Sequence, residues 1–77
     1  MDILSQNKII LGHLQRHGSI TSMDAFKKYE ITRISARIYD LREKGYNIQL
    51  LWETNPNTGT RYGRYVFLGA TNADKSR

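Results

Sequence analysis

Arginine is the residue type through which this sequence could do chemistry. Arg33 and Arg37 lie one helical turn apart, and Arg61 and Arg64 form a second group further along. A guanidinium is planar and holds its donors in a fixed fork. That fork matches phosphate oxygens and the guanine edge better than a lysine ammonium does. Enzymatic chemistry has little to work with. His13 and His17 have the i, i+4 spacing that can put two metal ligands on one helix face, but no third ligand accompanies them and the chain has no cysteine. Serines and threonines fall at helix caps and in the tail, with no nucleophile–base pairing. Gly59 and Gly63 belong to a hairpin rather than to a phosphate-cradling loop. The expectation is a binding protein, not an enzyme, with no cofactor and no metal.

The balance of charge points the same way. The chain has 77 residues, with 12 Lys plus Arg against 7 Asp plus Glu and a formal net charge of +5. That length holds one small domain. The excess lies mainly in the second half: from Arg33 to Arg64, the cations Arg33, Arg37, Arg42, Lys44, Arg61 and Arg64 face Asp40, Glu43 and Glu53. A basic surface favours a polyanionic partner. No apolar run approaches the roughly 18 residues of a membrane span. Met1-Asp2-Ile3-Leu4 followed by Ser5-Gln6-Asn7-Lys8 does not read as a signal peptide. The expected location is cytoplasmic and nucleoid-associated, with no membrane partner.

The periodicity predicts the elements that must position these groups. A first helix runs from about Ser5 to His17, with Ser5 as N-cap, Gly18 as the stop and Ile10, Leu11 and Leu14 on one face. Ile9 points away from that face and is expected to be exposed. Ser19-Ile20 reads as a short strand. Thr21-Ser22-Met23-Asp24 reads as a capping box opening a helix to about Lys28, with Met23, Phe26 and Tyr29 as apolar bulk. Thr32 is expected to cap a third helix over 33–44, closed by Gly45. Its core stripe is Ile34, Ile38 and Leu41, and its other side carries Arg33, Ala36, Tyr39, Asp40 and Glu43. Arg42 flanks the stripe, where its stem could cover core and its head reach the hairpin. After Gly45 the period becomes two. Tyr46, Ile48, Leu50 and Trp52 alternate with Asn47, Gln49, Leu51 and Glu53, the turn chemistry of Asn55-Pro56-Asn57-Thr58-Gly59 follows, and 61–68 returns. The fold class is α+β, with a domain over 1–69 and a flexible tail over 70–77.

This order resembles the winged helix-turn-helix. Gly18 to Ala25, then Ile31-Thr-Arg-Ile-Ser-Ala-Arg-Ile38 and Leu41-Arg42-x-x-Gly45-Tyr46-x-Ile48, look like small DNA-binding proteins of phage and prophage type. The ending Gly59-x-Arg61-x-x-Arg64-Tyr65-x-Phe67 is similar to the wing of that group. The resemblance spans about Ile10 to Leu68. One departure is Glu30, which stands where many such turns place glycine.

The resemblance implies three helices with a C-terminal β-hairpin wing, and double-stranded DNA as partner. It would set helix 33–44 in the major groove and the 54–64 wing on the backbone or minor groove. Arg33, Ala36 and Arg37 would read bases. Thr32, Ser35, Lys27, Lys28 and Lys44 would meet the backbone, and Arg61, Tyr62 and Arg64 would serve the wing. The expected role is a transcriptional regulator, for which a homodimer would supply two half-sites. Two alternatives stay open. One is a phage inhibitor that binds a host protein through Ile9, Tyr39 and Tyr62. The other is an excisionase-like factor that bends DNA.

Overall fold

The computed structural model describes residues 2–70. In chain order it contains α1 (Ile3–His17), β1 (Ser19–Thr21), α2 (Ser22–Tyr29), α3 (Ile34–Glu43), β2 (Tyr46–Thr54) and β3 (Arg61–Ala70). The expected tail lies outside the described residues, apart from Ala70, which ends β3.

α1 starts earlier than the sequence pattern suggests. Asp2 is its N-cap, and the Asp2 carboxylate accepts the Ser5 backbone N–H at 2.7 Å. Ser5 is therefore a residue of the first turn, not the cap. An aspartate before two apolar residues gives no break in periodicity, so the pattern alone could not place it. Gly18 closes α1 with φ of 86°, and its N–H reaches the Leu14 carbonyl at 2.8 Å. That left-handed position suits a residue without Cβ. The Gly18 carbonyl then accepts the Phe67 N–H at 2.8 Å, tying the end of α1 to the sheet.

The capping box at α2 is present in both directions. Asp24 N–H donates to Thr21 Oγ1 at 3.1 Å, and Thr21 N–H donates to the Asp24 carboxylate at 3.2 Å. The end of α2 is a Schellman-type turn, with Ile31 N–H bonded to Ala25 O and Glu30 N–H to Phe26 O. Glu30 occupies the left-handed position, at φ of 59°. Its Cβ opposes that conformation, so the turn keeps its shape through the two backbone bonds and the burial of Ile31.

α3 begins one residue later than expected. Arg33, not Thr32, is at the N-cap, and no side chain caps the helix. Arginine has no acceptor, and Thr32 lies exposed one position too far upstream.

The core is one cluster: Ile10, Leu14, Ile20, Ala25, Ile31, Ile34, Ile38, Leu41 and Ile48. Ile9, Tyr29, Tyr46, Tyr65 and Phe67 pack around it half-buried, so Ile9 is not the exposed residue anticipated. Met23 and Phe26 also depart from expectation, because they are 59% and 54% exposed and add nothing to the core. α2 is a short helix that enters the core through Ala25, with Tyr29 packed at its margin.

The strands form one antiparallel sheet in the order β1-β3-β2. Beyond Ile48 the hairpin outruns the helices. Leu50, Leu51 and Trp52 are 36%, 45% and 61% exposed. The alternation of β2 correctly reports sidedness, but not how far the core extends beneath it.

His13 is buried against α2, where its Nδ1 and the Tyr29 hydroxyl share a 2.8 Å hydrogen bond. Burial first, and the neighbouring His17 second, hold its pKa below the ordinary imidazole value. The unfolded chain therefore takes up a proton below about pH 6.5 that the native state holds off. Stability is full above that pH and falls as pH drops toward the depressed native pKa. Lowering pH from about 7.5 to about 5.5 should reduce the melting temperature of the wild type more than that of His13→Gln. Equal shifts would contradict this role for His13. Thr21→Ala should cost about 1 kcal/mol in denaturant unfolding, through loss of the α2 cap.

Candidate nucleic-acid interface

The two faces of α3 are sharply different. Ile34, Arg37, Ile38 and Leu41 are buried toward α1 and the sheet. Ser35, Tyr39 and Glu43 are exposed, and Ala36 is half-buried between them. A ten-residue helix held by one stripe leaves the rest of its surface open.

Arg33 is exposed at the head of α3. It borders a polar cleft shared with Ile3 and Gln6 of α1, Glu30, Thr32, Ala36 and Arg37. Arg37 is placed differently. Its Nε donates to Asp40 Oδ2 at 3.0 Å, its Nη2 pairs with the same oxygen at 2.9 Å, and its Nη1 donates to Gln6 Oε1 at 3.4 Å. Only 10% of the side chain is exposed. Arg37 thus joins α1 to α3 at the edge of the cleft. Its helical position gave the outer flank, whereas its three-carbon stem folds back toward α1. Gln6 carried no sequence signal for this contact, since it is one polar residue among several in the first helix.

Arg42 reaches the hairpin as its flank position suggested, donating from Nε to the Ile48 carbonyl at 2.9 Å. Lys27 and Lys28 are exposed in the last turn of α2. Lys44 is the C-cap of α3 and is also exposed.

On the hairpin, Glu53 gathers two of the expected wing residues. The Tyr62 hydroxyl donates to Glu53 Oε1 at 2.8 Å, and Arg64 Nε donates to the same oxygen at 3.0 Å. Arg64 Nη1 also donates to Ser19 Oγ at 3.1 Å. The Tyr62 and Arg64 hydrogen bonds hold the Glu53 carboxyl below the usual carboxylate range. The hydrogen bond with Glu53 likewise raises the Arg64 pKa. This network braces β1, β3 and β2. Arg61 is separate from it, exposed, with its guanidinium 5.5 Å from the centre of the Trp52 ring. Such a cation–π contact holds the charge without neutralising it. Trp52 itself gave only a strand signal in the sequence, and its partnership with Arg61 follows from pairing across the hairpin.

The expected site residues therefore fall into two sets. Arg33, Thr32, Ser35, Lys27, Lys28, Lys44 and Arg61 are exposed, with Ala36 half-buried, while Arg37, Tyr62 and Arg64 are engaged within the protein. Tyr39, 62% exposed in the middle of the outer face of α3, is the largest side chain on that surface.

Residues 5–70 match the family model described as a winged helix-turn-helix domain. No curated protein and no solved structure matches the chain.

The contrast between Arg33 and Arg37 is measurable without any ligand. Arg37→Ala should lower unfolding stability by about 1–3 kcal/mol, because it leaves Asp40 and Gln6 unpartnered in a half-buried setting. Arg33→Ala should stay within about 0.5 kcal/mol of wild type. Denaturant melts of both variants would decide; equal losses would refute the division.

Proposed function

The chain belongs to a family of winged helix-turn-helix domains, and from that membership we propose that it is a sequence-specific double-stranded DNA-binding protein. The observation that carries the proposal is the open face of α3 beginning at Arg33. The helix starts without a side-chain cap, and ahead of Ala36, whose N–H donates to the Arg33 carbonyl, the Ser35 N–H retains hydrogen-bonding capacity for a phosphate. Arg33 stands at the same end, where a fork aimed at guanine O6 and N7 contributes about 1–3 kcal/mol of discrimination. Ala36 leaves room for a base edge or a thymine methyl. Thr32 and Ser35 supply hydroxyls to the backbone, and Lys27, Lys28 and Lys44 supply charge. Arg61 offers the wing a guanidinium that its contact with Trp52 leaves charged.

Arg37, Tyr62 and Arg64 act in this reading as positioning residues. Arg37 keeps α3 seated on α1, and the Glu53 network holds the hairpin stiff. The role is transcriptional regulation of phage or prophage type, without enzymatic activity and in the cytoplasm at the nucleoid. The size and resemblance of the chain support that role. Among the described residues no helix is long and apolar enough to cross a membrane.

Exposed Met23, Phe26 and Tyr39 favour one second reading, a host-protein surface on α2 and α3. Ile9 and Tyr62 no longer serve it, since one packs against the core and the other is held by Glu53.

Selection from random duplex DNA, followed by polarisation binding, tests the proposal. Arg33→Ala should weaken the selected site by about 1–3 kcal/mol and relax preference at one base position. With about four to six phosphates contacted, the slope of log K against log salt should be about −4 to −5. A salt-independent signal, or no duplex binding at low salt, would reject DNA as the partner and leave the protein-binding reading.

A further inference from the structure

β2 is an outer strand of the sheet, and its free edge is unusually bare. Strand edges in soluble proteins are commonly guarded by lysine, proline, bulges or a covering element. From Gln49 to Thr54 the sequence is Gln-Leu-Leu-Trp-Glu-Thr, with no proline and no basic residue. The one irregularity of the pairing lies at Asn47/Ile48, below this stretch. Arg42 reaches the edge only at the Ile48 carbonyl.

Two separate hydrogen bonds reveal which backbone groups face outward. Asn55 N–H points to β3, since it donates to the Thr60 carbonyl at 2.8 Å. The register from Ile48 to Thr54 is unbroken, so Glu53, Leu51 and Gln49 also direct their N–H and C=O groups to β3. Ile48, Leu50, Trp52 and Thr54 therefore direct theirs to the free edge. The Arg42 bond to Ile48 O, made from the side away from β3, agrees.

We propose that this edge pairs with the same edge of a second copy, antiparallel and two-fold symmetric, with Leu51 opposite Leu51 of the other copy. In that register the outward groups of Leu50 meet those of Trp52 from the second copy, and the reverse, as two hydrogen-bonded pairs. Leu51 meets its equivalent as a close, non-hydrogen-bonded pair. Leu50 then packs beside the partner's Trp52 on one face of the sheet, and the two Leu51 side chains meet on the other. Glu53, the only charged residue in the stretch, falls opposite Gln49 of the second copy and not opposite its own equivalent. Shifting the pairing by one residue would put outward-facing groups against groups already bonded to β3.

Self-complementarity is what selects a second copy as the occupant. The edge supplies the hydrogen bonds, the apolar area and the avoidance of like charge from one and the same segment. The assembly also closes at two, because the opposite edge of the sheet is β1, which has three residues and runs directly into α2. This inference stands apart from DNA binding, since it concerns the protein alone.

Cysteine scanning gives a direct test, because the chain has no cysteine of its own. A non-hydrogen-bonded antiparallel pair has Cα atoms about 4.5 Å apart, within the disulfide range. Under mild oxidation Leu51→Cys should cross-link to a dimer, while Asn57→Cys at the hairpin tip should not. Leu51→Lys, at an exposed position of the monomer, should shift sedimentation to the monomer by placing like charges opposite each other. Mixing Leu51→Lys with Leu51→Glu should restore the dimer. Wild type that stays monomeric at high concentration would overturn the proposal. So would cross-linking of both cysteine variants alike, or a Leu51→Lys protein that remains dimeric.

Discussion

The structure depends on a small core that is already fully used. A chain of 77 residues buries a smaller fraction of its surface than a larger domain does. Here one cluster of aliphatic side chains serves all three helices and the base of the sheet. Ile10 and Leu14 from α1, Ile34, Ile38 and Leu41 from α3, and Ile20 and Ile48 from the strands meet in it. Among the described residues nothing covers the outer part of the hairpin. Leu50, Leu51 and Trp52 are exposed for that reason, and Met23 and Phe26 are exposed because α2 reaches the core on the other side of its axis. Gly63 shows the hairpin managing this shortage locally. Leu50 Cδ1 lies 2.7 Å from where a Cβ would stand at position 63, so Leu50 folds across the strand onto glycine.

The same limit governs the arginines. With little core, long polar side chains become structural members. Arg37 spans α1 and α3, Arg42 joins α3 to β2, and Arg64 joins β3 to Glu53 and Ser19. Each does so with its head in a defined hydrogen bond. The count of arginines therefore overstates how many guanidiniums a polyanion would meet, although the net charge of +5 does not depend on these pairs. Asp40 and Glu53 offset Arg37 and Arg64 at close range. Among the described residues the exposed basic side chains are Lys8, Arg16, Lys27, Lys28, Arg33, Arg42, Lys44 and Arg61.

Much of this frame was legible in the sequence. Gly18, the Thr21/Asp24 capping box, the stripe of α3 and the reach of Arg42 each follow from local chemistry within a few residues. The start of α1 at Asp2 and the absence of a cap on α3 were not legible. Several polar residues near each start could serve as cap, and only the path of the chain chooses among them. The site was less legible than the fold. A helical wheel gives Arg37 an outward flank, but the Asp40 and Gln6 bonds that draw it inward depend on where α1 crosses α3. Strand alternation likewise assigns Leu50 and Trp52 to the core side while saying nothing about where the core stops.

Exposure on the hairpin is divided by chemistry. The backbone groups of Leu50 and Trp52 and the Leu51 side chain lie along β2, whereas Arg61 and the polar turn 55–60 lie on β3 and at the tip. A strand edge can be satisfied by hydrogen bonds to another strand, and a guanidinium by a phosphate; neither group competes for the other's partner. One hairpin can thus carry two contacts at once, one along its edge and one at its end. The Glu53 network stands between them, pairing β2 to β3 through Tyr62 and Arg64. By tying β2 to β3 it links the edge to the direction of the tip. Fixing that direction is how a second copy would add specificity beyond the charge it brings.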